Sequence, residues 1–400
     1  MMDFGLTPDH EAVRNATREF CRREILPHLH DWERAEQFPR DVIPKMAAQG
    51  LLGLCIPRRY GGLGLDYVSL GIISEEFERA DTAFRVLIAV HLGLNSLALL
   101  QWGSEEQKQR YLVPQARGEK LAAFALTEPD AGSDVAGIRA TARRDGTRYI
   151  LNGEKTWISL ADVADHFLIF AYTDRSAGAR GVSAFVVERG FEGVSSSSIH
   201  HKLGGRIGNT GSIVLQDACV PVENRLGDEG EGLKIALSAL DNGRYTVAAG
   251  AVGLIEACLE ASVSYAEQRQ SFGQPIGKHQ LIQQKIARMA AGRDIGRLLY
   301  YQVGWLKNRG MRCTREVSVA KWMNCDNAFR AADDAIQIHG AYGYSDEFPV
   351  ERYFRNARGS LIYEGTQEIH QLIQAEYALG YRTDKPLPRP LPPYPFEEDA

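Results

Sequence analysis

A chain of 400 residues that is 44% hydrophobic and 24% charged has apolar material for a large buried core spread over two or three domains. Its formal net charge of −5 gives solubility and no basic footprint, which argues against nucleic acid as a partner. The six cysteines (Cys21, Cys55, Cys219, Cys258, Cys313, Cys325) form no CxxC pair, so reduced thiols in a reducing compartment are expected, not a disulfide framework or a thiolate zinc site.

Residues 1–118 read as a helical domain. Apolar residues recur at helical spacing over 11–26, 68–77 and 84–100, with Pro57, Gly61, Gly62 and Gly64 as punctuation. The run 84–100 is the most apolar, yet it contains Arg85, His91 and Asn95, so a buried helix is expected and no membrane span. The N-terminus has neither an apolar signal core nor an Arg-rich leader. A bacterial cytoplasm is the expected location, with a processed organelle matrix protein as the alternative.

Residues 119–229 change character. The runs 121–126, 149–158, 167–172, 182–187 and 212–215 are short and rich in β-branched and aromatic residues, and the turn-formers Asp145-Gly146 and Asn152-Gly153 interrupt them. This predicts a central antiparallel, barrel-like sheet domain. Over 230–383 the helical period returns at 233–268, 279–308, 315–338 and 366–379, and helices of this length pack best as a four-helix bundle. Residues 384–400, proline-rich and ending in Glu397-Glu398-Asp399, are expected as a tail or an arm on a neighbour and not as core. The fold class is α+β, mainly α.

Common motifs are few. No GxGxxG follows a strand and no GxxxxGK[ST] occurs, which speaks against a dinucleotide fold or a P-loop. Ser318-Val-Ala-Lys321 has the SxxK spacing, but it sits mid-helix without partner motifs. His200-His201 lacks a carboxylate or cysteine at ligand spacing, so no metal site is expected.

Four segments stand out. They are Phe-Ala-Leu-Thr-Glu-Pro-Asp-Ala-Gly-Ser-Asp at 124–134, Asn-Gly-Glu-Lys-Thr-Trp-Ile-Ser at 152–159, and Tyr-Ala-Glu-Gln-Arg-Gln-Ser-Phe-Gly-Gln-Pro-Ile at 265–276 with Gln280 beyond it. The fourth runs from Gln337-Ile-His-Gly340 through Arg355 to Ile362-Tyr-Glu-Gly-Thr366. In this order, on a helix–sheet–helix background, they resemble the acyl-CoA dehydrogenase family.

The resemblance implies FAD as cofactor. Phe124, Leu126 and Thr127 would line the isoalloxazine, Trp157 would lie against it and Ser159 would bond its edge. Taken alone, the 127–134 stretch is a strand-end turn and Trp157 a core aromatic. Thr366 is placed in the same cofactor set. Arg269 is by itself a cation favoured at a helix C-terminus. In the family it binds the FAD of an adjacent subunit with Phe272, Gln280, Gln337 and Gly340, which implies a homotetramer.

The resemblance places Ser133, Asp241, Arg244, Tyr363 and Gly365 at the acyl-CoA, and makes Glu364 the base that takes the α-proton while the β-hydride passes to flavin N5. Some members carry the base at the position of Gly243, which has no side chain here. A helix starting near Thr366 would lower the proton affinity of Glu364 through its dipole, so burial must outweigh it. Electron-transferring flavoprotein is the implied electron acceptor.

Arg85, in Asp81-Thr-Ala-Phe-Arg-Val86, matches the arginine that binds the distal carboxylate in glutaryl-CoA dehydrogenase-like members, although Val86 stands where those have serine. The other reading of Arg85 is a surface ion pair with Asp81 one turn away. The acyl group is accordingly acid-tailed or short to medium aliphatic. The competing functions are a flavoprotein oxidase and a nucleic-acid-binding relative. Residues 381–400 hold three basic and four acidic side chains, against the latter.

Overall fold

Thr7 opens the first helix, α1 (Pro8–Glu24), with a reciprocal capping box to His10 and proline at the first helical position, where its missing N–H costs nothing. Two short helices, α2 (Leu29–Ala35) and α3 (Val42–Ala48), lead to α4 (Tyr67–Ala80), capped by Asp66. A computed structural model describes residues 5–387 and 389–397; Glu398 and Asp399 of the expected acidic end lie outside them.

Asp81 caps the next helix, α5 (Thr82–Trp102), which widens into a π-turn over Ala89–Ser96. By length and composition α5 and the later helix Gly232–Gln268 are apolar enough to cross a membrane, but 94% and 78% of their apolar stretches are buried inside the molecule.

The π-turn buries His91 against the sheet domain. One ring nitrogen of His91 meets the Gln115 carbonyl at 3.1 Å and the other lies 3.3 Å from the Ala122 N–H, which fits the neutral ring. The Gln115 side-chain amide reaches His166 at 2.5 Å. Burial pushes His91 down to about 4 and His166 to about 3. Both folded values lie below the ordinary ~6.5, so the unfolded chain takes up these protons first. Stability from this pair is therefore full above pH ~6.5 and is lost as pH falls toward the folded values. Melting temperatures measured across that range should fall less steeply for His91→Gln and His166→Gln than for the wild type; an unchanged slope would remove the histidines from the effect.

The sheet has the order β6–β7–β3–β2–β4–β5–β8: β2 (Thr141–Asp145), β3 (Arg148–Ser159), β4 (His166–Tyr172), β5 (Val182–Glu188), β6 (Val194–Ser198), β7 (Thr210–Pro221) and β8 (Arg225–Leu226). It is mainly antiparallel, as expected. Two pairings are parallel: β1 (Ala122–Ala125) beside β4, and the Thr141–Tyr172 contact of β2 with β4. Asp145 and Arg148 pair across a Gly146-Thr147 hairpin turn. Asn152-Gly153, expected as a turn, instead makes a bulge within β3. The register shifts there, Gly153 has φ +149°, and a Cβ on it would stand 2.7 Å from Ala140 Cβ.

The bundle holds α6 (Gly232–Gln268), α7 (Gln280–Asn308), α8 (Thr314–His339), α9 (Val350–Ser360) and α10 (Gln367–Ala378). Glycines let helices approach closely: a Cβ on Gly253 of α6 would collide with the backbone of Glu75 and Arg79 on α4. The tail departs from expectation. Leu391 and Phe396 join the main hydrophobic core of their own chain, the Tyr67 hydroxyl donates to the Pro392 carbonyl at 2.9 Å, and the Tyr394 N–H donates to the Asn308 carbonyl at 2.7 Å. Apolar side chains between the prolines give this segment something to bury.

Candidate active site

The chain between α9 and α10 reverses through two residues with positive φ, Glu364 (+54°) and Gly365 (+100°). Thr366 then caps α10, its hydroxyl accepting from the Ile369 N–H. Two buried cations hold the turn. Arg244 Nε donates to the Glu364 carbonyl at 3.1 Å and Lys321 Nζ to the Gly365 carbonyl at 2.7 Å. Arg244 is steadied by Asp241 at 3.3 Å, and Asp241 accepts from the Thr314 hydroxyl at 2.7 Å.

The Glu364 carboxylate points inward. Its Oε2 is buried without a hydrogen-bond partner. Burial raises its proton affinity above the ordinary carboxylate range, against the opposing pull of Arg85, Lys321 and Arg244. Burial outweighs both the cations and the start of α10. Gly243 provides the space: a Cβ there would overlap Oε2, and would stand 2.7 Å from Leu94 Cδ2.

Arg85 reaches the same centre. It is 1% exposed and does not pair with Asp81. Its Nε donates to Glu78 at 2.5 Å, its Nη2 donates to the Tyr363 hydroxyl, and its guanidinium lies 5.1 Å from the Tyr363 ring centre. Glu78 also accepts from the Thr82 hydroxyl. Asp81 instead caps Ala83 and meets Arg352 and Asn356. The surface reading of Arg85 fails, because Gly250 on α6 leaves room for its stem; a Cβ there would stand 2.9 Å from Arg85 Cγ.

A second group lies on the sheet domain. Trp157 is 61% exposed with φ +59°, between the half-buried Thr156 and the buried Ile158, the reverse of a core aromatic. Phe124 packs on Phe170 at 5.0 Å, Leu126 is buried, Ser159 ends β3, and Ser133 is exposed in an open turn. Lys155 fixes these pieces. Fully buried, it donates to the Leu126 carbonyl at 3.1 Å and to Glu128 at 2.7 Å, while Glu128 also accepts from the N–H groups of Arg139 and Ala140.

A third group is turned outward. Arg269 follows α6, and the hairpin of β9 (Gln270–Ser271) and β10 (Gln274–Pro275) has positive φ at both tip residues, Phe272 (+52°) and Gly273 (+77°). The Phe272 ring is 95% exposed, and Arg269, Gln280, Gln337 and Gly340 are exposed too. Among the described residues none of these five hydrogen-bonds to the Glu364 cluster.

Family models of acyl-CoA dehydrogenase match the chain in three parts: the N-terminal domain over residues 7–119, the middle domain over 123–218 and the C-terminal domain over 230–379. The chain belongs to the acyl-CoA dehydrogenase family. An acyl-CoA dehydrogenase of Bacillus subtilis is 42% identical over 375 residues, covering 94% of this chain and 99% of that protein. The structure of butyryl-CoA dehydrogenase from Megasphaera elsdenii superposes with a TM-score of 0.93 at 36% identity, over 94% of this chain and 100% of that one. That of a glutaryl-CoA dehydrogenase from Mycobacterium smegmatis in complex with FADH2 gives 0.90 at 31%, over 95% and 97%.

Family membership makes the chain an oxidoreductase, and the fold gives positions to residues whose role the motifs do not assign. Ser318 and Lys321 of the SxxK spacing lie beneath the Glu364 turn, with the Ser318 hydroxyl 2.9 Å from His370 Nδ1. Lys155 and Glu128 belong to two of the four segments, but their pairing across 27 residues has no local signal. Glu78 likewise shows its pairing with Arg85 only in the folded chain.

Proposed function

We propose that the chain catalyses the FAD-dependent α,β-dehydrogenation of a short acyl-CoA thioester to the trans-2-enoyl-CoA, with Glu364 as the base. The observation that carries this reading is the buried, unpartnered Oε2 of Glu364 with its raised proton affinity. A base for an α-proton must approach the substrate's acidity, and desolvation supplies that match. Arg244 fixes the backbone of the base, and Gly243 leaves the space into which its carboxylate reaches. Tyr363 and Gly365 flank the acyl group, and Ser133 and Asp241 lie toward the CoA.

The residues fit FAD: Trp157 offers an exposed flat indole, and Phe124, Leu126, Thr127, Ser159 and Thr366 would hold the cofactor with it. When bound, FAD supplies the hydride acceptor. The outward Arg269, Phe272, Gln280, Gln337 and Gly340 would complete the cofactor site of a second copy in a homotetramer. Electron-transferring flavoprotein is the electron acceptor in this reading, and six free thiols agree with a bacterial cytoplasm.

A short aliphatic tail is favoured because Arg85 already has its carboxylate in Glu78, so the inner wall carries no net demand for an anion. The acid-tailed reading rests on the burial of Arg85 at this wall, and it requires the tail to compete with Glu78. Anaerobic bleaching of the flavin by butyryl-, hexanoyl- and glutaryl-CoA tests both. The expected order places butyryl-CoA above glutaryl-CoA in kcat/KM. A wild-type preference for glutaryl-CoA that Arg85→Ala reverses would establish the acid tail, and a flavin that no acyl-CoA bleaches would end the proposal.

A further inference from the structure

The turn carrying Glu364 rests on a polar face of α8. Ser318 and Lys321, one helical turn apart, are both fully buried. A buried ammonium is costly unless paired, yet among the described residues Lys321 makes no ion pair. Its hydrogen bond is to the Gly365 carbonyl at 2.7 Å, and the carboxylate whose charge acts on it is that of Glu364. Leucine or methionine would fill the same place in α8 without this cost.

The turn needs holding. A non-glycine residue with φ near +54° is strained, and the surroundings must over-determine it. The Arg244 bond fixes the peptide after Glu364 and the Lys321 bond fixes the one after Gly365. Behind them His370, bonded to Ser318, closes the turn: a Cβ on Gly365 would stand 2.9 Å from His370 Nε2.

We propose that Lys321 is a positioning residue for the base: its bond to the Gly365 carbonyl holds the Glu364–Gly365 turn, and its charge balances the carboxylate that turn presents. The inference rests on Glu364 being the base. The charged and titratable groups around the pair are Arg85 from α5, Glu78 from α4, Arg244 from α6, Cys325 from α8 itself, and Tyr363 and His370 beside the turn.

The test is the pH dependence of flavin reduction by butyryl-CoA in the FAD-loaded enzyme, for Lys321→Gln, Lys321→Arg and Glu364→Gln. Lys321→Gln keeps a donor and removes the charge. Its rate should fall on the order of tenfold or more with KM little changed, and the acidic limb should move up by about one pH unit as Glu364 loses a neighbouring cation. Lys321→Arg should lower the rate but restore the wild-type limb. A lowered rate with an unmoved limb in Lys321→Gln reduces Lys321 to packing and overturns the inference, as does a wild-type rate. If the glutamine variant does not retain flavin, the arginine variant decides alone: a displaced limb there overturns it, and a wild-type limb supports it. Turnover in Glu364→Gln would sink the base assignment itself, whereas an inactive Glu364→Gln beside an unmoved Lys321→Gln limb sinks only the role of Lys321.

Discussion

Replacing Glu364 with glutamine should abolish turnover while leaving the flavin bound. The amide occupies the same volume but cannot accept the α-proton, and among the described residues no other carboxylate is held against Gly243. Loss of a general base costs ~10²–10⁴-fold, and loss of the sole base can cost more. The fold should persist, since Oε2 has no hydrogen-bond partner to lose, but Lys321 loses the carboxylate that balances it, so the melting temperature should be equal or lower. Activity within a few-fold of wild type, at unchanged flavin content, would place the base elsewhere.

Gly243→Ala should be nearly as damaging by a different route. The added methyl would overlap Glu364 Oε2 and stand 2.9 Å from its Cδ and 2.7 Å from Leu94 Cδ2, so the carboxylate must swing away. A displacement near 1 Å in a reacting group costs about 10²-fold. The loss should appear in the rate of flavin reduction, with flavin content unaltered, because Gly243 lies on α6 and not at the Trp157 face. A wild-type reduction rate would mean that the carboxylate works from some other position.

Much of this architecture was legible because the relevant signals are local. Long runs of helical period placed α6, α7, α8 and α10 to within a residue or two, and Thr366 caps the start of α10. What escaped lacked a local apolar signal. Strand β2 reads Thr-Ala-Arg-Arg-Asp and β6 Val-Ser-Ser-Ser-Ser; both are held by ladder partners, not by their own hydrophobicity. Helix α9 is the exception: Val350, Tyr353, Phe354 and Ala357 do recur at helical spacing, but the stretch lies inside the fourth of the four segments. At the site, Glu364 was visible through its sequence context, whereas the cations around it come from α5, α6 and α8. Of the two sequence readings of Arg85 the surface ion pair is excluded, and its pairing with Glu78 has no local signal, because Glu78 faces it only when α4 and α5 pack together.

The strap over residues 391–396 ties together parts of the chain that lie far apart in sequence. Tyr67 bonds Pro392 across 325 positions, and Phe396 packs edge-on against the same tyrosine ring. A contact this remote closes a very large loop, whose entropy must be paid before the contact rewards it. Until the strap docks, α4 therefore carries an open seam, and its closure belongs to the late events of folding.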